Sequence, residues 1–281
     1  MNTTAGYAQT LTPEERVALT QRNAARDRWT RTTLSITGAL GFILLWQASV
    51  VTGLLPEKFV STPLKIISLF LVKLVDPAPD GATLGVNILA SLQIALTGFL
   101  LAAVVGISLG LVMGWYRGFD YFMRPIFEIL RPIPPVSWIP LTIVWLGIGL
   151  QAKAFIVFFA AFVPCLINSY TGIRQTNPVL INVAKTCGAS NFEIFRRVGI
   201  PSSMPMVFAG LRVALGTAWA TLVAAEMLAS SSGLGYMILM GRNYARADII
   251  ILGIVVIGLI GVLFVAGLGL VEERVLGWRK R

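Results

Sequence analysis

The sequence predicts an all-α, polytopic membrane protein with six transmembrane helices, and three observations carry that expectation. Of 281 residues, 56% are hydrophobic and only 13% charged, against about 25% charged in ordinary soluble domains. Several uncharged stretches reach the roughly 20 residues that cross a hydrocarbon core as helix. The basic residues flank those stretches and do not interleave with aromatics on a soluble face, so the net charge of +10 reports topology and not a nucleic-acid surface.

Residues 1–33 are a polar, arginine-rich tail. Thr12-Pro13-Glu14-Glu15 has the form of a capping box and is expected to open a short helix. The apolar run starting at Leu34 is too long for a signal-peptide core, so the tail is expected to stay attached at the cytoplasmic surface, solvated or against anionic lipid. A single transmembrane domain then covers residues 34–271, and its first span is 34–55. Thr62–Val75 is apolar but short, with Lys65 and Lys73 on one face, and reads as an interfacial helix. Asp76-Pro-Ala-Pro-Asp80-Gly81 is a turn-rich linker.

The second span is 86–115. Gly106, Gly110 and Gly114 recur every four residues along it, allowing close approach by another helix of this chain or by a second copy. Asp120, Arg124, Glu128 and Arg131 follow three or four apart, a charged stripe able to pair along one helix. Pro132, Pro134 and Pro135 then remove backbone donors and must break or kink the chain. The third span, 132–149, is short for a crossing. Either the proline break lies within the membrane beside a water-filled path, or the striped helix lies on the cytoplasmic surface and only its end dips in. Candidate path residues here are Glu128, Arg131, Pro134, Pro135 and Trp138. Arg131 is a group that attracts an anionic solute or pairs with Glu128.

The fourth span, 152–173, carries Pro164 and Asn168, the latter a further path candidate. The fifth is 206–229. Its Glu226 is an intramembrane carboxyl, read either as the outer mouth of the path or as a partner of Arg242, Arg246 or a helix end. The sixth span is 248–271, followed by the short tail 272–281.

Between the fourth and fifth spans lies the polar loop 174–205. Asn177 caps a helix with Pro178 in its first turn, and Gly188 is the residue expected just past its end. Ser190-x-x-Glu193 is a second capping box, so two short helices are expected over Pro178–Cys187 and Asn191–Val198. On the first, Leu180, Val183, Ala184 and Cys187 share one face, to be buried against the chain's own loops, among headgroups, or against a separate protein. With the N-terminus inside, seventeen of the 23 Lys and Arg fall on the cytoplasmic side, which puts this loop and both termini in the cytoplasm.

No histidine is present and the two cysteines have no metal spacing. No P-loop occurs, and no nucleophile with a base is evident. An enzyme is not expected, and no cofactor or metal is assigned to this chain. A secondary transporter or channel acting alone is the competing class, and it calls for paired broken helices or an ion filter.

Ala184 with Gly188, then Phe195 and Val198-Gly-Ile200-Pro201, resembles the cytoplasmic loop signature of permease subunits of ABC-type importers, with Asn182-Val183 where the signature opens Glu-Ala. Arg131-Pro-Ile-Pro-Pro-Val-Ser-Trp138, Trp145-Leu-Gly-Ile-Gly149, Thr221-Leu-Val-Ala-Ala-Glu226 and Gly233-Leu-Gly-Tyr-Met237 are similar to the nitrate, sulfonate, taurine and bicarbonate importer permeases. The Pro-Pro-Val-Ser-Trp and Trp-Leu-Gly-Ile-Gly segments look closer to taurine and alkanesulfonate members than to nitrate or bicarbonate ones. The resemblance implies a type I ABC importer permease fold in a bacterial inner membrane. It implies a homodimer, two ATPase subunits holding ATP and magnesium, and a periplasmic or lipid-anchored solute-binding protein. It also implies that Asn182, Val183, Ala184, Cys187, Gly188, Ala189, Phe195 and Pro201 couple to the ATPase.

Overall fold

The structure, a computed structural model, describes residues 12–277, with side chains for all of these except 13–26, 28 and 229. The side chains of Pro13, Glu14 and Glu15 in the expected capping box, those of most of the tail arginines, and the basic residues 279–281 lie outside the described residues. Within them all regular structure is helical, in two units, residues 1–65 and 66–281.

In the first unit, α1 (Pro13–Val51) is one helix of 39 residues. The expected short tail helix and first span are therefore continuous, because no glycine or proline interrupts residues 14–37 and an existing helix extends at little cost. Its apolar part, Trp29–Val51, is 23 residues long. It stops at Val51 and not at residue 55, since Gly53 takes a φ of 78° just beyond the end.

Helix α2 (Pro63–Lys73) has 11 residues, too few to cross. Lys73 does not lie on an exposed interfacial face as expected; it is 1% exposed. Its ammonium bridges Asp80 at 2.5 Å and donates to the carbonyls of Pro77, Ala78 and Ala82 at 2.8–3.0 Å. The linker's turns wrap three carbonyls and a carboxylate around one cation, a closure that residue spacing along a helix does not show.

The second unit is built on α6 (Leu150–Arg174), packed between α3 (Leu84–Trp115) and α9 (Ile200–Ala229). The glycine face of α3 meets α6 of the same chain. A Cβ on Gly98 would stand 2.6 Å from the Ala154 carbonyl, and one on Gly106 2.9 Å from the Cys165 Cβ; Gly110 and Gly114 are pressed on Leu166 and Ile173. Replacing Gly110 with leucine should cost about 1–3 kcal/mol or more by overpacking. Thermal unfolding in detergent checks this, with Gly258→Ala, where a Cβ meets nothing within 4 Å, staying within about 1 kcal/mol of the parent.

Pro164 bends no hydrogen bond out of use on α6. The Ala160 carbonyl, which its missing N–H would have served, accepts from Thr217 Oγ1 of α9 at 3.0 Å.

The expected third span, 132–149, is corrected to the second arm of a bent pair. Helix α4 (Arg117–Leu130) breaks, and a 3-10 turn (Pro135–Trp138) with α5 (Ile139–Leu146) leaves at 83°. Three missing donors end α4, and Pro134 is held extended (φ −59°, ψ 131°) by the proline after it. Phe127 packs edge-on to Phe162, halfway along α6, and Trp138 stacks on Phe159 with centroids 5.1 Å apart. The striped helix thus climbs α6 to its middle and does not lie flat at its end.

After α7 (Pro178–Thr186), α8 (Asn191–Ile194) does not end at residue 198. It continues through a π-helical turn (Phe195–Gly199) into α9, so the fifth span begins before residue 206. The wider turn accommodates Pro201, which has no N–H to return to the preceding turn. α10 (Leu234–Asn243) and α11 (Ala247–Val275) complete the unit. Arg212 of α9 pairs with Glu272 of α11, and Trp219 Nε1 donates to the Ile257 carbonyl at 3.0 Å. Among the described residues, five helices are long and apolar enough to cross a membrane, six if the bent pair is one crossing.

Candidate functional site: a capped loop helix, a charged broken helix and a buried clamp

The end of the second unit that carries Trp115, Arg174 and Ile200 is termed basal. There α7 is fixed at both ends by local chemistry. Asn177 Oδ1 accepts from the Val179 N–H at 2.9 Å. At the far end Gly188 takes φ 80°, its N–H reaches the Lys185 carbonyl at 2.9 Å and the Ala189 N–H reaches that of Ala184 at 3.1 Å. This is a Schellman end, and it explains the Ala184–Gly188 spacing: Ala184 and Ala189 are the half-buried pair that closes it. Ser190 and Glu193 then cap each other's backbone at 3.3 Å.

These caps make a short rod that presents apolar side chains outward. Val179 is 62% exposed, Leu180 49%, Val183 55% and, on α8, Phe192 62%. Asn182, Cys187, Gly188 and Pro201 are exposed as well. Leu180 and Pro201 share an open groove of 580 Å³ with Gln175 and Met206. Phe195, one of the residues the resemblance assigns to coupling, is buried. It packs on Trp115 at 5.6 Å and Tyr116 at 5.8 Å, the end of α3, and belongs to a core cluster with Leu111, Ile173 and Val207. It anchors the loop to three long helices, α3, α6 and α9. Sequence reasoning missed Val179 and Phe192, although both are large apolar residues in a polar loop.

Along α4, Arg124 bonds Asp120 at 2.6 Å and also bonds the Tyr170 hydroxyl. Glu128 and Arg131 form no ion pair with each other among the described residues, which corrects the pairing reading even though Arg131 keeps the helical conformation, its N–H reaching the Phe127 carbonyl at 2.8 Å. Asp120, Arg124, Glu128, Arg131 and Tyr170 line one cavity of 220 Å³ between α4 and α6. Pro134 is exposed and Pro135 and Trp138 half-buried on the far side of the bend. Asn168 is not brought into this cavity. Its amide donates to the Pro164 carbonyl at 2.9 Å, and its Cβ sits where α6 crosses Gly210.

At the opposite end Glu226 is wholly buried, and its partner is a helix end, not Arg242 or Arg246. Its carboxyl accepts from Ser91 Oγ at 2.7 Å and from the Gly235 N–H at 2.8 Å. Ser91 Oγ in turn accepts from the Leu234 N–H at 2.8 Å, and Asn87 Oδ1 from the Gly233 N–H at 2.9 Å. Three successive orphan N–H groups at the start of α10 are thereby satisfied by side chains of α3 and α9. A side chain at Gly233 (φ 115°) would strike the Glu226 carboxyl. Asn87 continues the chain of contacts to Asp80 at 2.6 Å and so to Lys73. Arg246 serves elsewhere, held by Asp248 at 2.8 Å; that hydrogen bond raises the guanidinium above its ordinary pKa.

Long apolar helices and a capped loop rod with an exposed apolar face are features of a multi-pass membrane subunit that meets another protein. The chain belongs to the family of binding-protein-dependent transport system inner membrane components, whose family model matches residues 102–277. An ABC transporter permease protein of Methanocaldococcus jannaschii is 43% identical over 69% of this chain and 73% of that one. The taurine transport system permease protein TauC of Escherichia coli is 32% identical over 88% and 90%. The bicarbonate transport system permease protein CmpB of Synechocystis is 34% identical over 85% and 86%. In fold, a chain of the MetNI methionine ABC transporter in inward-facing conformations matches with a TM-score of 0.58 at 20% identity, over 67% of this chain and 94% of that one. The fold is that of a type I ABC importer permease. The protein is a multi-pass inner-membrane permease subunit of an ABC importer, a class that works with separate ATPase subunits and a binding protein.

Proposed function

We propose that this permease carries a small anionic solute, an organosulfonate such as taurine, into the cytoplasm. It does so as a homodimer with two ATPase subunits that hold the ATP and magnesium, the basal end and both termini facing the cytoplasm. An external binding protein delivers the solute. The observation that carries this reading is the uncovered apolar face of α7 and α8 on a rod anchored through Phe195. Apolar side chains at such exposure on a loop rigidly joined to three spans suit a groove in a separate protein. The likeness in identity to taurine and bicarbonate permeases alike supports a small solute with an acidic group. The Pro134-to-Trp138 and Trp145-to-Gly149 segments favour the sulfonate members, and the Arg124 and Arg131 guanidiniums along the cavity suit an acidic group. Movement of the ATPases on binding ATP would press the rod and rock α3, α6 and α9 between openings.

Cys187 tests the placement directly, because it is exposed while Cys165 is buried and silent. A membrane-impermeant maleimide should label Cys187 in inside-out vesicles stripped of the ATPase and leave intact cells unlabelled, and returning the ATPase should protect it. Labelling from the outer face would overturn the orientation, and unprotected labelling the docking.

A further inference from the structure

We propose that the basal groove between the ends of α3 and α6 and the flank of α7 binds the phosphate-bearing headgroup of one anionic lipid. Its place in the inner leaflet rests on the orientation proposed above. The groove has a volume of 400 Å³. Trp115 and Arg174, which line it, are the last residues of two membrane-length helices, so it opens where hydrocarbon gives way to water. Three exposed cations line it from three elements: Arg117 of α4, Arg174 of α6 and Lys185 of α7. No acidic residue lines it, and none of the three forms an ion pair among the described residues. The acids of neighbouring segments are already engaged, Asp120 with Arg124, and Glu193 with Ser190 and Arg197.

Cations gathered on one groove without a carboxylate repel one another, and an anion placed among them relieves that repulsion. The Arg174 guanidinium lies over the Tyr170 ring, 5.7 Å from its centroid. Stacking occupies a face of the guanidinium and leaves its N–H edge for phosphate oxygens. Arg117 opens α4, whose N-terminus carries no side-chain cap, so that helix adds partial positive charge beside it. The floor is apolar and fixed. Trp115 is held by Asn191 Oδ1, which accepts from its Nε1 at 3.2 Å, and by the Phe195 ring, while Ile173 is buried. A cationic rim over an apolar floor, between helices at the water boundary, suits a phosphodiester that continues into acyl chains. A free phosphate would leave the floor uncovered. Held by Arg117, Arg174 and Lys185 together, the headgroup would tie the α7 rod to the ends of α3, α4 and α6.

The test equilibrates the detergent-purified permease–ATPase complex with mixed micelles of phosphatidylglycerol and phosphatidylcholine and counts the lipids retained per complex by native mass spectrometry. Each basic residue near a headgroup is worth about fivefold in binding, so three predict a preference for phosphatidylglycerol of about a hundredfold. Arg117→Gln combined with Arg174→Gln, both off the α7 rod, should lower that preference about twenty- to thirtyfold. Arg196→Gln, exposed at the same end but outside the groove, should leave it within about twofold, against the roughly fivefold of a cation at the site. Excess inorganic phosphate should not displace the lipid. An equal loss in Arg196→Gln would show diffuse attraction and overturn the site, as would the absence of any preference. Displacement by inorganic phosphate would assign the groove to a free anion. A double variant that sheds the ATPase and keeps its lipid would assign it to a carboxylate of that subunit, and either result overturns the lipid assignment. Binding in micelles does not depend on which way the chain crosses a membrane, so failure here leaves the orientation to be decided by the Cys187 labelling.

Discussion

Glu226→Ala is expected to lower the unfolding free energy by about 2–6 kcal/mol, because it leaves two buried donors without an acceptor at about 1–3 kcal/mol each. Those donors are the Ser91 hydroxyl and the Gly235 N–H. The loss also frees the start of α10, whose first N–H groups face only Asn87, Ser91 and Glu226. Glu226→Gln keeps one acceptor oxygen and should lose less. Lys73→Met attacks the same chain of contacts from its other end. It leaves the Asp80 carboxylate buried without a countercharge, for which about 3–5 kcal/mol is the usual loss. Thermal unfolding of the detergent-purified transporter reads both effects. An alanine variant as stable as the parent would show that the carboxyl does not hold α10.

The second large effect falls on transport and spares the fold. Val183→Asp and Ala184→Arg each place a charge on the outward face of α7, where Val183 is exposed and Ala184 half-buried. In the chain alone the exposed Val183→Asp stays within about 0.5 kcal/mol, and the half-buried Ala184→Arg costs more only as far as it disturbs the closing contact with Ala189. Buried in an apolar groove of a partner without a countercharge, either charge costs several kcal/mol, so ATP-driven uptake should fall about a hundredfold or more. Membrane insertion and the detergent melting temperature should stay close to the parent's. Normal uptake by both variants would remove α7 from the coupling machinery.

How far the chain could be read without coordinates depended on the range of the interaction. The caps of α7 and α8, the Gly188 end and the glycine face of α3 were legible because each is written within one or two turns of helix. The continuity of α1, and of α8 with α9, was not. A polar-to-apolar change or a proline marks a change of environment more reliably than a change of conformation. The least legible groups were those whose partners lie far along the chain. Glu226 finds Ser91 at 135 residues' separation. Phe195 turns inward to Trp115 and Tyr116 although its neighbours Phe192 and Arg196 are exposed. The stripe on α4 was visible, but the cavity between α4 and α6 was not, because it arises where that helix leans on α6 at Tyr170 and Phe162.

The central claim is that this polypeptide holds the path while the work is done by another protein acting on the α7 rod. Solute uptake into proteoliposomes, with the binding protein present and the ATPase subunit either included or left out, tests that most directly. The account predicts uptake that requires both the ATPase and ATP and vanishes without either. Uptake at the same rate through the permease alone would contradict it.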